Sequence, residues 1–156
     1  MYGDELNNVQ LFIADNPRFK GRTMEHASYG MTYTPLIANT ANQRASFRVD
    51  PDEDFIACRL LGSLASVAIA TYPDVPVLVE FVNLSTGQNW TNPRGLPMEY
   101  STLMNRNTSG AMDMQQPDFP YPLLLSAETE FAAYVTSKSG ADLMFYITFE
   151  GYRALL

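Results

Sequence analysis

The amino-acid sequence predicts an all-β fold, an antiparallel β-sandwich of the jelly-roll type in a single domain. Seven or eight short segments alternate apolar with polar residues and are rich in Val, Thr, Tyr and Phe, as in strands that bury one face. Turn-forming residues separate these segments. Short strands in this arrangement are typical of two packed antiparallel sheets.

Residues 1–30 are predicted to form an irregular N-terminal arm, which precedes a β-sandwich domain at 31–156. Asn, Pro and Gly residues interrupt the arm, and a short strand at Val9–Ile13 is the one regular element expected in it. We expect the arm to pack on neighbouring subunits and to serve assembly rather than the fold.

The predicted strands follow one another along the rest of the chain. They are Met31–Asn39, Ala45–Asp50, Asp54–Gly62, Ser66–Tyr72, Pro76–Leu84, Tyr121–Ser126, Thr129–Ser137 and Asp142–Tyr152. The strand with Val77, Val79 and Phe81 on one face is the most apolar, so Phe81 is predicted to lie in the core. Hairpin turns are predicted at Thr86–Gly87 and at Lys138–Asp142.

A long loop near 92–120 is predicted from its Pro and Gly residues, with a short helix near Met98–Met104. Loops of this length inside a compact domain are usually functional or form interfaces.

The composition argues against several classes of function. Lys and Arg number 10 against 17 Asp and Glu, so the chain lacks the basic footprint of a nucleic-acid-binding protein. It has no apolar run of about 18 residues, and its start is acidic and polar, so neither a membrane span nor a secretory signal is predicted. One cysteine, Cys58, and one histidine, His26, cannot form a structural zinc site. We predict no metal and no cofactor.

Three carboxylates at alternate positions, Asp50, Asp52 and Asp54, have the spacing that begins a calcium loop. Such a loop needs Gly at its sixth position and Glu at its twelfth, where this chain has Phe55 and Leu61. We therefore interpret the stretch as a solvated acidic turn without metal that connects two strands.

The sequence contains few candidate residues for a catalytic or sugar-binding site. Two of Glu80, Glu130 and Glu150 could form a glycosidase pair, but each lies in a strand pattern where a solvated Glu is expected. Trp90 with Tyr100 suggests a sugar platform, although a core or interface aromatic is the commoner explanation. We predict that the chain is not an enzyme, and a carbohydrate-binding or adhesion module is kept as an alternative.

Three stretches carry a resemblance to a known class of proteins. They are RASFRVDPDEDFIACRLLG, FPYPLLLSAETEFAAYVTS and DLMFYITFEGYRAL. This order of a strand, a D-x-D-F turn, central strands, a P-x-P-L segment and a terminal strand resembles small β-sandwich virion structural proteins of tailed bacteriophages, over residues 31–153.

The resemblance implies a virion protein that is made in the bacterial host cytoplasm. It implies contacts with the major capsid protein or other virion proteins, and self-association. A capsid decoration (cement) protein is favoured, and a neck or tail component is the alternative.

A basic cluster in the N-terminal arm supplies the candidate interface residues. Arg18, Lys20 and Arg22 are three of the ten Lys and Arg residues of an acidic chain. We predict that they dock on an acidic patch of a neighbouring subunit, while a solvated stretch is an equally open alternative. The few charges and many Tyr, Phe and Met residues suit a chain that buries surface against partners.

Overall fold

A computed structural model of the chain describes residues 10–66, 77–91, 97–99, 113–115 and 122–156. Residues 10–15 are helical and Pro17–Phe19 form a 3₁₀ turn. Ten strands follow. They are β1 (Met24–Leu36), β2 (Gln43–Arg48), β3 (Glu53–Ser66), β4 (Val77–Asn83), β5 (Gln88–Asn89), β6 (Met98–Glu99), β7 (Asp113–Gln115), β8 (Leu123–Leu125), β9 (Glu130–Ser137) and β10 (Leu143–Leu155). The all-β prediction is confirmed.

The strands form two antiparallel sheets. Sheet A has the order β1–β10–β3–β7, with β8 also paired to β3, and sheet B has the order β2–β9–β4–β5, with β6 also paired to β4. The strands β1 to β4 alternate between the sheets, β9 returns to sheet B beside β4, and β10 lies in sheet A. The predicted hairpin at Lys138–Asp142 is therefore wrong, because the chain crosses between sheets there. The hairpin predicted at Thr86–Gly87 is confirmed by the pairing of β4 with β5.

The main core lies between the two sheets and is rich in aromatic rings. Phe81 is fully buried, and its ring centroid lies 5.2 Å from that of Phe149 and 6.0 Å from that of Phe131. Its predicted core position is confirmed. Trp90 packs on the same cluster, 5.9 Å from Phe149. Trp90 is thus a core aromatic rather than an exposed sugar platform, and Tyr100 lies outside the described residues.

The N-terminal part of the chain is more regular than predicted. β1 begins at Met24, seven residues before the predicted domain boundary at Met31. It stays in register with β10 from Met24↔Ala154 to Tyr33↔Phe145. Pairing with this long strand compensates for the weak alternation of the sequence before Met31.

Two shorter predictions need correction. Residues 10–13, predicted as a strand, belong to the helical segment, where Phe12 and Ile13 pack on sheet A. A helix was predicted from Met98, but Met98–Glu99 form β6 because they pair with β4. Residues 100–104 lie outside the described part, as does most of the predicted loop at 92–120.

No helix among the described residues is long and apolar enough to span a membrane.

Candidate protein interface

The outer face of sheet A carries a second apolar cluster, which the N-terminal segment covers. We call residues 10–22 the N-terminal segment. The buried members of the second apolar cluster are Phe19, Ile56, Cys58 and Ala154, with Phe12, Ile13, Met24, Leu124 and Tyr152 packed around them. The main core and this outer cluster therefore lie on opposite faces of sheet A.

A β-bulge creates the outer cluster. The register of β3 with β10 shifts between Glu150 and Gly151, so that Gly151 lies opposite Ala57. A Cβ on Gly151 would lie 1.8 Å from the Ile56 carbonyl oxygen, so only glycine fits. The shift changes which residues of β3 face outwards. As a result Ile56 joins the outer cluster, while its neighbour Phe55 belongs to the main core.

Asp54 connects the N-terminal segment to sheet A. Its side chain is 1% exposed and accepts hydrogen bonds from Arg18 Nε at 2.8 Å and from Arg22 at 2.6 Å. The Ala127 amide donates to its other oxygen at 2.9 Å. Arg22 also donates to the Leu155 and Ala154 carbonyl oxygens. The carboxylate thus joins the N-terminal segment, β3 and the turn before β9, and Arg22 adds the end of β10.

The charge of Asp54 is stabilised in spite of its burial. Burial alone raises the pKa of a carboxyl group, but the hydrogen bonds from Arg18, Arg22 and the Ala127 amide outweigh it, so the pKa of Asp54 lies below its usual value. Asp50 and Asp52 are exposed, as predicted for a solvated turn. The prediction is wrong for Asp54, because β3 begins at Glu53 and places this residue under the two guanidinium groups.

The predicted interface cluster divides into two parts. Arg18 and Arg22 pair with Asp54 of the same chain, and Arg22 is only 13% exposed, whereas Lys20 is exposed. Docking of the cluster on another subunit stays a prediction. The expectation that the arm packs only on neighbours is wrong for its described part, since Phe19 is buried against sheet A.

A second buried carboxylate, Glu53, lies beside Asp54 and was missed by sequence reasoning. The Tyr29 hydroxyl donates to it at 2.5 Å, and Arg153 lies 3.4 Å from its other oxygen while also pairing with Glu25 at 2.5 Å. Burial, with the hydrogen bond to Glu53, raises the pKa of Tyr29 to about 12. The predicted strand began at Asp54, whereas β3 begins at Glu53. Only a strand predicted to start one residue earlier would have included Glu53 among the candidate residues.

Among the residues whose side chains the structure describes, the remaining outer face of sheet A is mostly uncharged, and the register sets Asp113 of β7 opposite Ser63. Tyr146 is 37% exposed there, beside Thr32 and Ser63 on the two neighbouring strands. Arg59 and Glu150, 3.9 Å apart, stand between this surface and the outer cluster. A neutral sheet face with an exposed aromatic ring is suited to contact with another protein. We call it the neutral face.

The candidate catalytic carboxylates are not brought together. Glu80 accepts a hydrogen bond from Asn89 at 2.5 Å, and Glu130 pairs with Arg44 at 2.6 Å, both in sheet B. Glu150 lies in sheet A. Glu80 lies opposite Tyr134, four positions beyond Glu130. The Cα atoms of Glu80 and Glu130 are therefore separated by roughly 13 Å along the strands.

Comparisons with known proteins identify no family. No family model matches the chain, and no curated protein matches it. Among solved structures, the chain is similar to one described as "Cyanophage Pam1 capsid asymmetric unit", with a TM-score of 0.47, 11% sequence identity and 87% of each chain covered. A likeness of this size shows neither a shared family nor a shared function.

Proposed function

We propose that the chain is a structural protein of a tailed-bacteriophage virion, a capsid decoration protein that stabilises the particle through protein–protein contacts. The observation that carries the proposal is the neutral face of sheet A, an ordered sheet surface with few charges around Tyr146. Surfaces that bind other proteins are depleted in charge and enriched in Tyr and Met.

The sequence resemblance supports the same assignment. Its three stretches coincide with β2 and β3, with β8 and β9, and with β10, which are the strands that build most of both sheets. The partner proposed is the major capsid protein or another virion protein. A position in the neck or tail would use the same neutral face and is the alternative within this proposal.

The first test asks whether the chain is part of the particle. Particles purified from lysates of the host that makes this chain are searched for it by mass spectrometry. We expect stoichiometric amounts of the chain, and its absence from pure particles would contradict the proposal.

The second test asks which face attaches the chain. Tyr146→Ala removes the exposed ring of the neutral face, and Tyr134→Ala is the matched control on the outer side of sheet B, where Tyr134 lies between Arg44 and Glu80. Binding to particles that lack the chain is compared by co-sedimentation. We expect Tyr146→Ala to weaken attachment about tenfold or more, as at an interface hot spot, and Tyr134→Ala to leave it unchanged. Equal binding by both variants would contradict the assignment of the face, and glycan binding by the isolated chain would favour the carbohydrate-binding alternative.

A further inference from the structure

The outer edge of β1 is a long and regular backbone edge. β1 is an edge strand of sheet A, and none of the described strands pairs with its outer side. Its register with β10 is unbroken from Met24 to Tyr33 and becomes irregular only between Tyr33 and Leu36. An unpaired edge of this kind is a template for pairing with another strand.

The backbone groups that point to this edge can be identified. The Leu155 amide donates to the Thr23 carbonyl oxygen at 3.0 Å, so these two residues form a hydrogen-bonded pair. Hydrogen-bonded and non-hydrogen-bonded pairs alternate along antiparallel strands. The odd-numbered residues of β1 therefore bond to β10, and the N–H and C=O groups of the even-numbered residues point outwards. Those edge residues are Met24, His26, Ser28, Gly30 and Thr32.

We infer that two copies of the chain pair antiparallel through these edges, with the twofold axis at Ser28. This register places Met24 opposite Thr32, His26 opposite Gly30, and Ser28 opposite the same residue of the second copy. All five edge residues are then hydrogen-bonded, which gives about ten N–H···O bonds in two exchanged bonds per pair. The two copies of sheet A become one continuous sheet.

The side chains of β1 are compatible with this register. The pairs between the hydrogen-bonded ones set Glu25 opposite Met31, and Ala27 opposite Tyr29. The charged Glu25 thus meets an apolar residue rather than its own copy, and like charges do not face each other. The ring of His26 lies opposite a glycine, which leaves room for it.

The edge of sheet B is built in the opposite way. The Val49 amide donates to the Thr129 carbonyl oxygen at 3.0 Å, which makes Arg44, Ser46 and Arg48 the outward-pointing residues of β2. The same symmetric pairing through β2 would set Arg44 opposite Arg48 at two positions. Charged side chains of this kind protect sheet edges from pairing, and β1 has none among its five edge residues.

This inference deepens the self-association in the proposed function, and it can be tested without particles. Ser28→Pro removes the central outward N–H of β1 without removing a bond to β10, and Ser46→Pro is the matched change at the centre of the β2 edge. Both serines are exposed. Sedimentation velocity of the full chain is measured over a concentration series, with thermal melting of each variant.

We expect the native chain and the Ser46→Pro variant to form dimers of equal affinity. We expect Ser28→Pro to weaken dimerisation at least about tenfold, because two intermolecular hydrogen bonds are lost and the proline ring meets the partner strand. A native chain that stays monomeric at its highest soluble concentration would overturn the inference. This is the result expected if another part of the chain covers the edge of β1. A dimer that is weakened by Ser46→Pro and not by Ser28→Pro would overturn it too.

Cross-linking tests the register even if a proline variant fails to fold. Hydrogen-bonded antiparallel pairs have Cα atoms about 5.5 Å apart, which is within the range of a disulfide. We expect Ser28→Cys to form a disulfide-linked dimer under mild oxidation. Ser46→Cys should form none, because it lies outside the proposed interface. The native Cys58 is buried, so it should not contribute cross-links in either variant. Equal or absent cross-linking of the two variants would overturn the register. A dimer that fails to bind particles would contradict the proposed function alone, and a monomer that binds them would contradict this inference alone.

Discussion

The two faces of sheet A are closed by different physical means. The inner face is closed by sheet B through an aromatic core, in which Phe81, Phe131 and Phe149 are fully buried. One end of the outer face is closed by the N-terminal segment, through a small apolar cluster and the buried charge of Asp54. The first closure depends mainly on buried apolar area, whereas the second also depends on ionic partners that one substitution can remove. The N-terminal segment therefore belongs to the fold, through ion pairs with Asp54 that its own sequence does not predict.

The largest expected effect is in the aromatic core. Phe81→Ala should lower the free energy of unfolding by about 3–5 kcal/mol, because it removes a large buried side chain and leaves a cavity. Chemical denaturation of the purified variant measures this. Val82→Ala, on the opposite side of β4, is the control and should cost about 1 kcal/mol or less. Equal losses in the two variants would break the contrast between the faces of the strand.

The next largest effect is expected at Asp54. Asp54→Ala should lower the free energy of unfolding by about 3 kcal/mol, because it leaves the largely buried guanidinium of Arg22 without its partner. Asp52→Ala changes an exposed carboxylate of the same turn and should alter stability by about 0.5 kcal/mol or less. Denaturation midpoints at neutral pH compare the two, and indistinguishable variants would mean that the outer closure does not depend on this charge.

Acid should weaken the outer closure selectively. The pKa of Asp54 is lower in the folded chain than its ordinary value of 3.8, so its contribution is present above that pH and is lost as the pH falls through the folded pKa. We therefore expect the stability difference between the native chain and Asp54→Asn to shrink as the pH is lowered below about 4. Thermal melts at several pH values measure the difference. A gap that stays constant or widens in acid would contradict this linkage.

A smaller loss of stability is expected through Tyr29, at alkaline rather than acid pH. Its pKa rises from 10.0 to about 12 on folding, so its stabilising contribution is complete below pH 10 and is lost as the pH rises towards about 12. The native chain should lose stability over this range more steeply than Tyr29→Phe, which has no hydroxyl to ionise. Melting curves of the two proteins over the same alkaline range check this, and parallel pH profiles would exclude the effect.

The sequence predicted the sheets better than it predicted their ends. Alternation placed Phe81 in the core correctly, because inward and outward residues of a half-buried strand differ in polarity. Alternation failed for Asp54, since a charged residue at the start of a strand gives the same pattern whether it faces water or two arginines. The partners Arg18 and Arg22 precede it by 36 and 32 residues, and only the fold brings them together.

The strand start at Met24 was missed for a related reason. The stretch before Met31 contains Glu25, His26 and Gly30, which weaken any strand signal. Its regularity comes from the long partner β10, and the bulge at Gly151 that redirects β3 leaves no pattern in a single sequence. The neutral face could be predicted only as a low charge content, because its location depends on which half of the outer face of sheet A the N-terminal segment covers.

The coupling energy between Arg22 and Asp54 tests most directly whether this pair holds the N-terminal segment on sheet A. A double-mutant cycle uses Arg22→Met, which keeps an apolar side chain, Asp54→Ala and the two changes combined, each measured by equilibrium denaturation. If the N-terminal segment is held on sheet A through this pair, the two single losses will not add, and the coupling energy will be about 1–3 kcal/mol. Strictly additive losses would contradict a role of this pair, since they would mean that the segment and the sheet are stabilised independently.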